Sequence, residues 1–162
     1  MNLGPVLDPP SPENHYQQDF IARVVEAFAC ATGRDLVAET GLDPSALGES
    51  AWRGEFALLT HRGGAEAVLN YGNLFVQKLW AADWDSLTAL PSALTAPEEG
   101  REMRAAMMRQ VTERGFVTGY AGERIARDGR RFMMHDGIVW RLQEKSGEPF
   151  GVAAFFKRYT PL

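Results

Sequence analysis

The sequence predicts an α+β fold in which a five-stranded antiparallel sheet carries helices on one face and has an extra N-terminal helix. The period of the apolar residues changes at Glu55, where the helical spacing ends and the first strand-like segment begins. Glycine-containing turns then separate two strand-like segments in the middle of the chain and three at its end. The chain has 162 residues, 45% of them apolar, which suffices for one domain with its own core.

The first strong element is an amphipathic helix predicted over residues 16–31. Its apolar face is formed by Phe20, Val24, Ala27, Phe28 and Ala31. Ser11 suits the N-cap, Pro12 suits the first helical position, and Gly33 suits the C-cap.

The chain around this helix is predicted to be less regular. Residues 1–14 are expected to be extended or disordered, because their prolines interrupt any helix. Residues 15–54 form a helical flank, in which Asp43 begins a short helix that reaches Leu47. The main domain is expected over residues 55–160.

A hairpin opens the main domain. Residues 56–60 and 67–69 are predicted to be strands, joined through a Gly-Gly turn at 63–64. Asn73 is then predicted to cap a short helix over residues 74–81.

Two further helices are predicted before the last strands. Asp83 or Asp85 starts a single helical turn. Thr95 and Glu98 have the spacing of a capping box, so a longer helix is expected from there until Gly115 stops it.

Three strands close the chain at residues 116–125, 131–142 and 150–159. An Asp-Gly turn joins the first two, because this dipeptide tolerates the positive φ that hairpin turns require. Alternation along the middle strand predicts one shared face for four apolar residues. These are Phe132, Met134, Ile138 and Trp140, with Asp136 as the polar exception.

This order of elements is typical of PAS-like domains, and a cystatin-like α+β cone is the main alternative from the pattern alone. Several blocks of sequence also carry a family likeness. They are 68–73 (VLNYGN), 79–80 (LW), 83–85 (DWD), 90–95 (LPSALT), 119–122 (GYAG), 124–125 (RI), 128–132 (DGRRF), 139–140 (VW) and Gly151, preceded by 32–36 (TGRDL). With these blocks the chain resembles the stand-alone bacterial type of the MEKHLA domain family, a PAS-related family, over roughly residues 56–158.

The resemblance implies a regulatory role. The MEKHLA domain lies at the C-terminus of plant class III homeodomain–leucine zipper transcription factors, where it looks regulatory, and its stand-alone bacterial members have no established activity. The likeness therefore implies a sensory or interaction module, and it implies neither a reaction nor a DNA-binding helix.

The amino-acid composition limits the kinds of partner and site that are expected. A net charge of −4 gives no general attraction to nucleic acid. The single cysteine, Cys30, rules out a disulfide within the chain and a cysteine-rich zinc site. Neither a secretory signal nor an apolar run long enough to cross a bilayer is visible, so a cytoplasmic protein without a membrane partner is expected.

The PAS resemblance implies a ligand site between the concave face of the sheet and the short helices. The candidate pocket residues are Tyr71, Asn73, Trp80, Trp84, Tyr120, Arg131, Phe132, Met134 and Trp140. Such a pocket would suit a planar or aromatic small molecule.

Each candidate also has a purely structural interpretation. Asn73 fits a helix cap. The aromatic residues that fit the core are Trp80, Phe132 and Trp140. Trp84 and Tyr120 fit a ligand contact as well as they fit the core.

The sequence contains no motif that requires a particular cofactor. The histidines His15, His61 and His135 lack metal-ligand spacing, and none lies in the helix where a PAS-type haem ligand is expected. Cys30 lies outside the pocket region, so covalent flavin photochemistry is not expected. Non-covalent binding of flavin or another planar ligand remains open.

Catalysis lacks a supporting motif. A small cone-fold enzyme would need a buried His–Asp pair, and the only neighbours are His135 and Asp136. Because adjacent strand residues point to opposite faces, these two are not expected to share a cavity.

Arginines form the main charged feature. They are Arg101, Arg104, Arg109 and Arg114 on the long helix, with Arg124, Arg127, Arg130 and Arg131 around the Asp-Gly hairpin. A solvated hairpin end is favoured over a nucleic-acid site, because the chain is acidic overall. Arg131 is expected to reach a ligand carboxylate or to pair with Asp136 or Glu123.

The sequence thus predicts a small-molecule-sensing or regulatory PAS-like domain without catalytic activity that signals through protein contacts. A homodimer through the N-terminal helix, or a separate partner, would carry the signal. A ligand-free interaction or dimerisation module is the alternative, and a small cone-fold enzyme is a third hypothesis.

Overall fold

The structure is a computed structural model that describes residues 3–162. Its helices are α1 (Gln18–Thr32), α2 (Leu36–Thr40), α3 (Leu47–Arg53), α4 (Leu74–Leu79), α5 (Trp84–Leu87) and α6 (Arg101–Arg114). Its strands are β1 (Ala57–His61), β2 (Leu69–Gly72), β3 (Phe116–Ile125), β4 (Arg131–Gln143), β5 (Pro149–Phe156) and β6 (Arg158–Pro161). Short 3-10 turns cover Pro12–Gln17, Ser92–Thr95 and Glu98–Gly100.

All strands belong to one antiparallel sheet in the order β2-β1-β5-β4-β3, and β6 pairs with the first part of β4. The predicted α+β class, with helices packed on an antiparallel sheet, is confirmed. The sheet has six strands where five were predicted, because the last predicted strand is interrupted at Lys157.

The interruption lies opposite a residue of unusual backbone geometry. Asp136 in β4 has a φ of 50°, in the left-handed region that non-glycine residues rarely occupy. Pairing keeps the same register on both sides of the break, with Ile138 opposite Phe155 and His135 opposite Arg158. Strands β5 and β6 therefore pair with β4 as one strand would, except for an interruption opposite Asp136.

The left-handed residue also reverses the faces of β4. Phe132 and Met134 pack in the apolar cluster beneath α4 and α6, whereas Ile138 and Trp140 pack in the cluster beneath α1. The prediction that these four residues share one face is wrong, because strict alternation holds only while every residue stays extended.

Both faces of the sheet are consequently covered. Helices α4 and α6 lie on the face that holds Phe132, and the extra N-terminal helix α1 lies on the opposite face. The α1 contacts are made by the apolar stripe that the sequence predicted, with Phe28 against Trp140.

Some predicted helix starts are wrong. Ser11 and Pro12 begin a 3-10 turn in which His15 and Tyr16 have positive φ, so α1 starts only at Gln18. The helix predicted from Asp43 forms later, as α3.

The long helix also starts later than predicted. Thr95 Oγ1 donates to the carbonyl of Ser92 at 2.6 Å, which closes a local turn and leaves no capping box. Helix α6 therefore begins at Arg101, after the turn at Glu98–Gly100, and ends at Gly115 as predicted.

The N-terminal segment runs extended along the sheet from residue 3, while residues 1 and 2 lie outside the described part. Gly4 N donates to Arg62 O at 2.8 Å, and Arg62 Nε donates back to Gly4 O at 2.7 Å. Asn70 Nδ2 donates to Pro5 O at 2.9 Å. A side chain at Gly4 would overlap the carbonyl oxygen of Phe150, so this close approach requires glycine.

None of the helices within residues 3–162 combines the length and the apolar character needed to cross a membrane.

Candidate functional site

A cavity of ≈ 50 Å³ lies between the sheet and α6. Strands β1, β4 and β5 form its floor, α6 covers it, and the turn at Ser92–Thr95 closes one side. This volume exceeds the roughly 10–15 Å³ that a single water molecule needs, so side chains do not fill the space completely. Its lining divides into a polar end and an apolar end.

The polar end contains the guanidinium group of Arg104 from α6. Arg104 Nη2 donates to Ser92 Oγ at 2.8 Å, which ties the helix to the turn beside it. Burial and the positive charge of Arg124 lower the pKa of Arg104 to about 10, so this side chain is cationic at neutral pH.

Arg124 from β3 supplies the second guanidinium and is only 5% exposed. Its Nη1 donates to Glu123 O at 2.8 Å, and its Nη2 donates to Tyr120 Oη at 3.3 Å. The group also lies over the Tyr120 ring, 5.4 Å from its centroid. Gly122 lies between the two side chains, and a Cβ there would be 2.9 Å from Arg124 Nη1.

His61, the last residue of β1, adds a neutral imidazole. Its Nδ1 accepts a hydrogen bond from Gly63 N at 3.0 Å, so the ring proton lies on Nε2. Burial and the charge of Arg104 lower the pKa of His61 to about 4. Nε2 is buried and has no hydrogen-bond partner among the described residues.

The apolar end is lined by flexible and aromatic side chains. Met107 and Met108 come from α6, Met134 and Val139 from β4, and Trp80 from the end of α4. Methionine side chains adapt to irregular shapes, so this end can widen at modest cost.

The structure brings two of the nine predicted pocket residues to this cavity, Trp80 and Met134. Phe132 and Tyr120 belong to the same apolar cluster but lie behind the lining.

Three other candidates lie on the α1 side of the sheet. They are Tyr71, Trp84 and Trp140. The Tyr71 and Trp84 rings are 5.9 Å apart, and burial raises the pKa of the Tyr71 hydroxyl.

The last two candidates have other roles in the structure. Asn73 caps α4: its Oδ1 accepts from Val76 N at 3.1 Å. Arg131 pairs with Glu99 at 2.9 Å and Glu123 at 3.4 Å outside the cavity.

Sequence reasoning missed the polar end, although two signals pointed to it. Arg104 stands in line with Met107, Met108 and Val111 at helical spacing, which places it on the buried stripe of α6. Arg124 follows Tyr120 and Gly122 in the alternating buried pattern of β3. His61 carried no such signal, because all five residues of β1 are buried.

The arrangement presents hydrogen-bond donors to the cavity. No group of three or more His, Cys, Asp or Glu side chains within residues 3–162 is placed to hold a metal ion. A molecule bound here would have to accept hydrogen bonds at one end and be apolar at the other.

The sequence matches the family model of the MEKHLA domain over residues 18–161. Solved structures with a similar fold include the PAS domain of a protein from Colwellia psychrerythraea, at 11% identity and a TM-score of 0.58, with 70% of this chain and 92% of that one covered. An RNA-binding light-oxygen-voltage receptor has 16% identity and a TM-score of 0.61, with 75% and 35% covered.

A light-oxygen-voltage domain studied with a flavin analogue has 12% identity and a TM-score of 0.57, with 75% of this chain and 87% of that one covered. At these identities the structural likeness shows the fold alone. No curated protein matches the sequence.

Proposed function

The chain belongs to the MEKHLA domain family, and on that premise we propose that it is a small-molecule-sensing regulatory domain without catalytic activity, which signals through protein contacts. The observation that carries this proposal is the cavity between the sheet and α6, with polar groups at one end and apolar side chains at the other. Concave sites of this composition are where small ligands bind.

Flavin, whose analogue was used to study one light-oxygen-voltage neighbour, does not fit the cavity as it stands. Ligand pockets for larger molecules measure roughly 300–1,000 Å³, several times the ≈ 50 Å³ found here. Cys30 lies on α1, on the far side of the sheet. We therefore propose a smaller ligand than the planar cofactor that the sequence left open.

The non-catalytic part of the proposal is supported by the position of the only adjacent His–Asp pair. His135 Nε2 lies 2.7 Å from Thr160 Oγ1, and Asp136 forms an exposed ion pair with Arg158. Neither residue lines the cavity between the sheet and α6. The pair that a cone-fold enzyme would need is therefore placed at the surface.

Signalling would pass through a surface of the domain such as α1, on the sheet face opposite the cavity. The apolar stripe of α1 is covered by the sheet of the same chain, so a homodimer through this helix would use its outer side, around Ala22, Glu26 and Ala29. The alternative function, a ligand-free interaction module, is favoured by one observation: the cavity is small.

Native mass spectrometry of freshly purified protein, combined with an absorption spectrum, tests the proposal. We expect the native protein to carry a bound mass that is lost on partial unfolding. Loss of this ligand should also change the ratio of monomer to dimer. A clean apo mass together with no thermal stabilisation by any member of a metabolite set would contradict sensing and favour the interaction module.

A further inference from the structure

The polar end of the cavity is positively charged without a compensating acid. The titratable side chains that line it are His61, Arg104 and Arg124, and no Asp or Glu within residues 3–162 lines it. The positive charge of this end contrasts with the chain as a whole, in which 21 acidic residues outnumber 17 basic ones.

Neither cavity arginine forms an ion pair in the described part of the chain. Arg104 donates to the hydroxyl of Ser92, which is uncharged. Arg124 donates to the backbone carbonyl of Glu123 and to the hydroxyl of Tyr120, which are also uncharged. By contrast, Arg131 on the neighbouring strand pairs with two glutamates. Buried guanidinium groups are normally paired, because removing an uncompensated charge from water is costly.

His61 completes a set of donors that face the same space. Because Nδ1 accepts from Gly63 N, the buried Nε2 carries the proton and is a donor without an acceptor. Buried donors in folded proteins are nearly always satisfied, so an orphan beside two unpaired guanidinium groups indicates a missing acceptor.

We infer that the cavity binds a small organic carboxylate, with its charged oxygens held by Arg104, Arg124 and the Nε2–H of His61, and its apolar body against Met107 and Met134. The inference rests on the proposed function and specifies its ligand class. Guanidinium groups match the planar, two-oxygen geometry of a carboxylate. The methionines at the other end favour a carboxylate with a short apolar body over an inorganic anion such as phosphate.

The test uses matched pairs of ligands that differ only in charge. The full chain, with ¹⁵N backbone and ¹³C methionine-methyl labels, is titrated with propionate and butyrate, and in parallel with propionamide and butyramide, at constant ionic strength. Inorganic phosphate forms a third arm. We expect saturable shifts at His61, Met107 and Met134 with the carboxylates, and at least tenfold weaker effects with the amides and with phosphate.

The variants Arg104→Gln and Arg124→Gln identify the binding groups. Each is expected to weaken carboxylate binding at least tenfold. Arg109→Gln is the matched control, because Arg109 is an exposed arginine on the same helix, away from the cavity. If Arg124→Gln does not fold, as judged by circular dichroism, Arg104→Gln and the amide arm decide the question.

The possible results separate this inference from the proposed function. Equal binding of amides and carboxylates in the cavity would overturn the carboxylate assignment and leave the sensing proposal intact. Binding of phosphate alone, or of none of the probes, would also overturn the assignment, and the bound mass in native mass spectrometry would then decide the sensing proposal separately.

A stability measurement provides an independent check. If Arg104 serves to bind a ligand, Arg104→Met should raise the melting temperature of the ligand-free protein by about 2–4 °C. The reason is that the methionine removes a partly buried charge that Arg124 repels. A melting temperature lowered by this substitution would assign Arg104 a structural role and contradict the inference.

Discussion

Phe28 of α1 packs edge-on against Trp140 of β4, with ring centroids 4.9 Å apart and an interplanar angle of 77°. Both side chains are fully buried. This contact joins the N-terminal helix to the sheet face opposite the cavity, so α1 is part of the domain core.

Phe28→Ala should therefore destabilise the whole domain. We expect a loss of about 3–5 kcal/mol in unfolding free energy, as for other large-to-small changes in a packed core. Cys30→Ala, at an exposed position two residues along the same helix, should change it by less than about 0.5 kcal/mol. Chemical denaturation followed by tryptophan fluorescence measures both. A small effect of Phe28→Ala would mean that α1 is not docked as described.

Asn73 should be the most costly polar side chain to truncate. Its Nδ2 donates to Ala51 O at 3.0 Å and to Phe56 O at 2.8 Å, in addition to the cap of α4. Asn73→Ala removes these bonds from a fully buried site, so we expect a loss of about 3 kcal/mol. Asp83→Ala removes only an exposed cap and should cost about 1 kcal/mol. Equal losses in urea denaturation would contradict the structural role given to the Asn73 amide.

The left-handed conformation of Asp136 should restrict which residues are tolerated there. Asp136→Val places a β-branched side chain at a φ of 50°, and we expect it to destabilise the domain by about 1–2 kcal/mol. Asp136→Gly is the control, since glycine adopts this φ without strain and the lost ion pair with Arg158 is exposed. If thermal melting shows the valine variant to be as stable as the glycine variant, the reversal of faces in β4 is not imposed by this residue.

His61 should make stability depend on pH below neutrality. Its pKa is about 4 in the folded state, against an ordinary value of 6.5, so the unfolded chain binds a proton first as the pH falls. Stability is therefore fully present above about pH 6.5 and declines between about pH 6.5 and 4, by about 2 kcal/mol from pH 7 to pH 5.

The variant His61→Asn isolates this contribution. An asparagine oxygen can take the place of Nδ1 as the acceptor for Gly63 N, but it does not titrate. Urea unfolding at pH 7 and pH 5 should show a smaller loss of stability in the variant than in the natural chain. Identical losses would contradict the burial of a neutral imidazole.

The sequence predicted local structure well where one signal was sufficient. Apolar spacing identified α1, and the Asn73 cap and the Asp-Gly turn followed from residue preferences that act over three or four residues. Three helix starts were placed wrongly, at Ser11, Asp43 and Thr95, because competing local turns use the same residue types as helix caps.

The candidate site was only partly accessible from the sequence. Trp80 and Met134 were included among the candidates because the PAS resemblance implies a site between the short helices and the sheet, where these two residues were predicted to lie. The charged end was missed because Arg104 and Arg124 belong to a larger group of arginines, most of which are exposed. Nothing in the composition distinguishes a buried arginine from a solvated one.

By itself, the sequence determined the α+β class, the order of the elements, the apolar stripe of α1 and the likeness to the MEKHLA family, because each depends on neighbouring residues or on blocks in order. The tertiary structure alone decided that Trp140 faces α1 and that His61, Arg104 and Arg124 share one cavity. The reason is physical: one left-handed residue at Asp136 reverses every later side chain of its strand, and residues far apart in the chain meet only when the sheet and α6 have packed together.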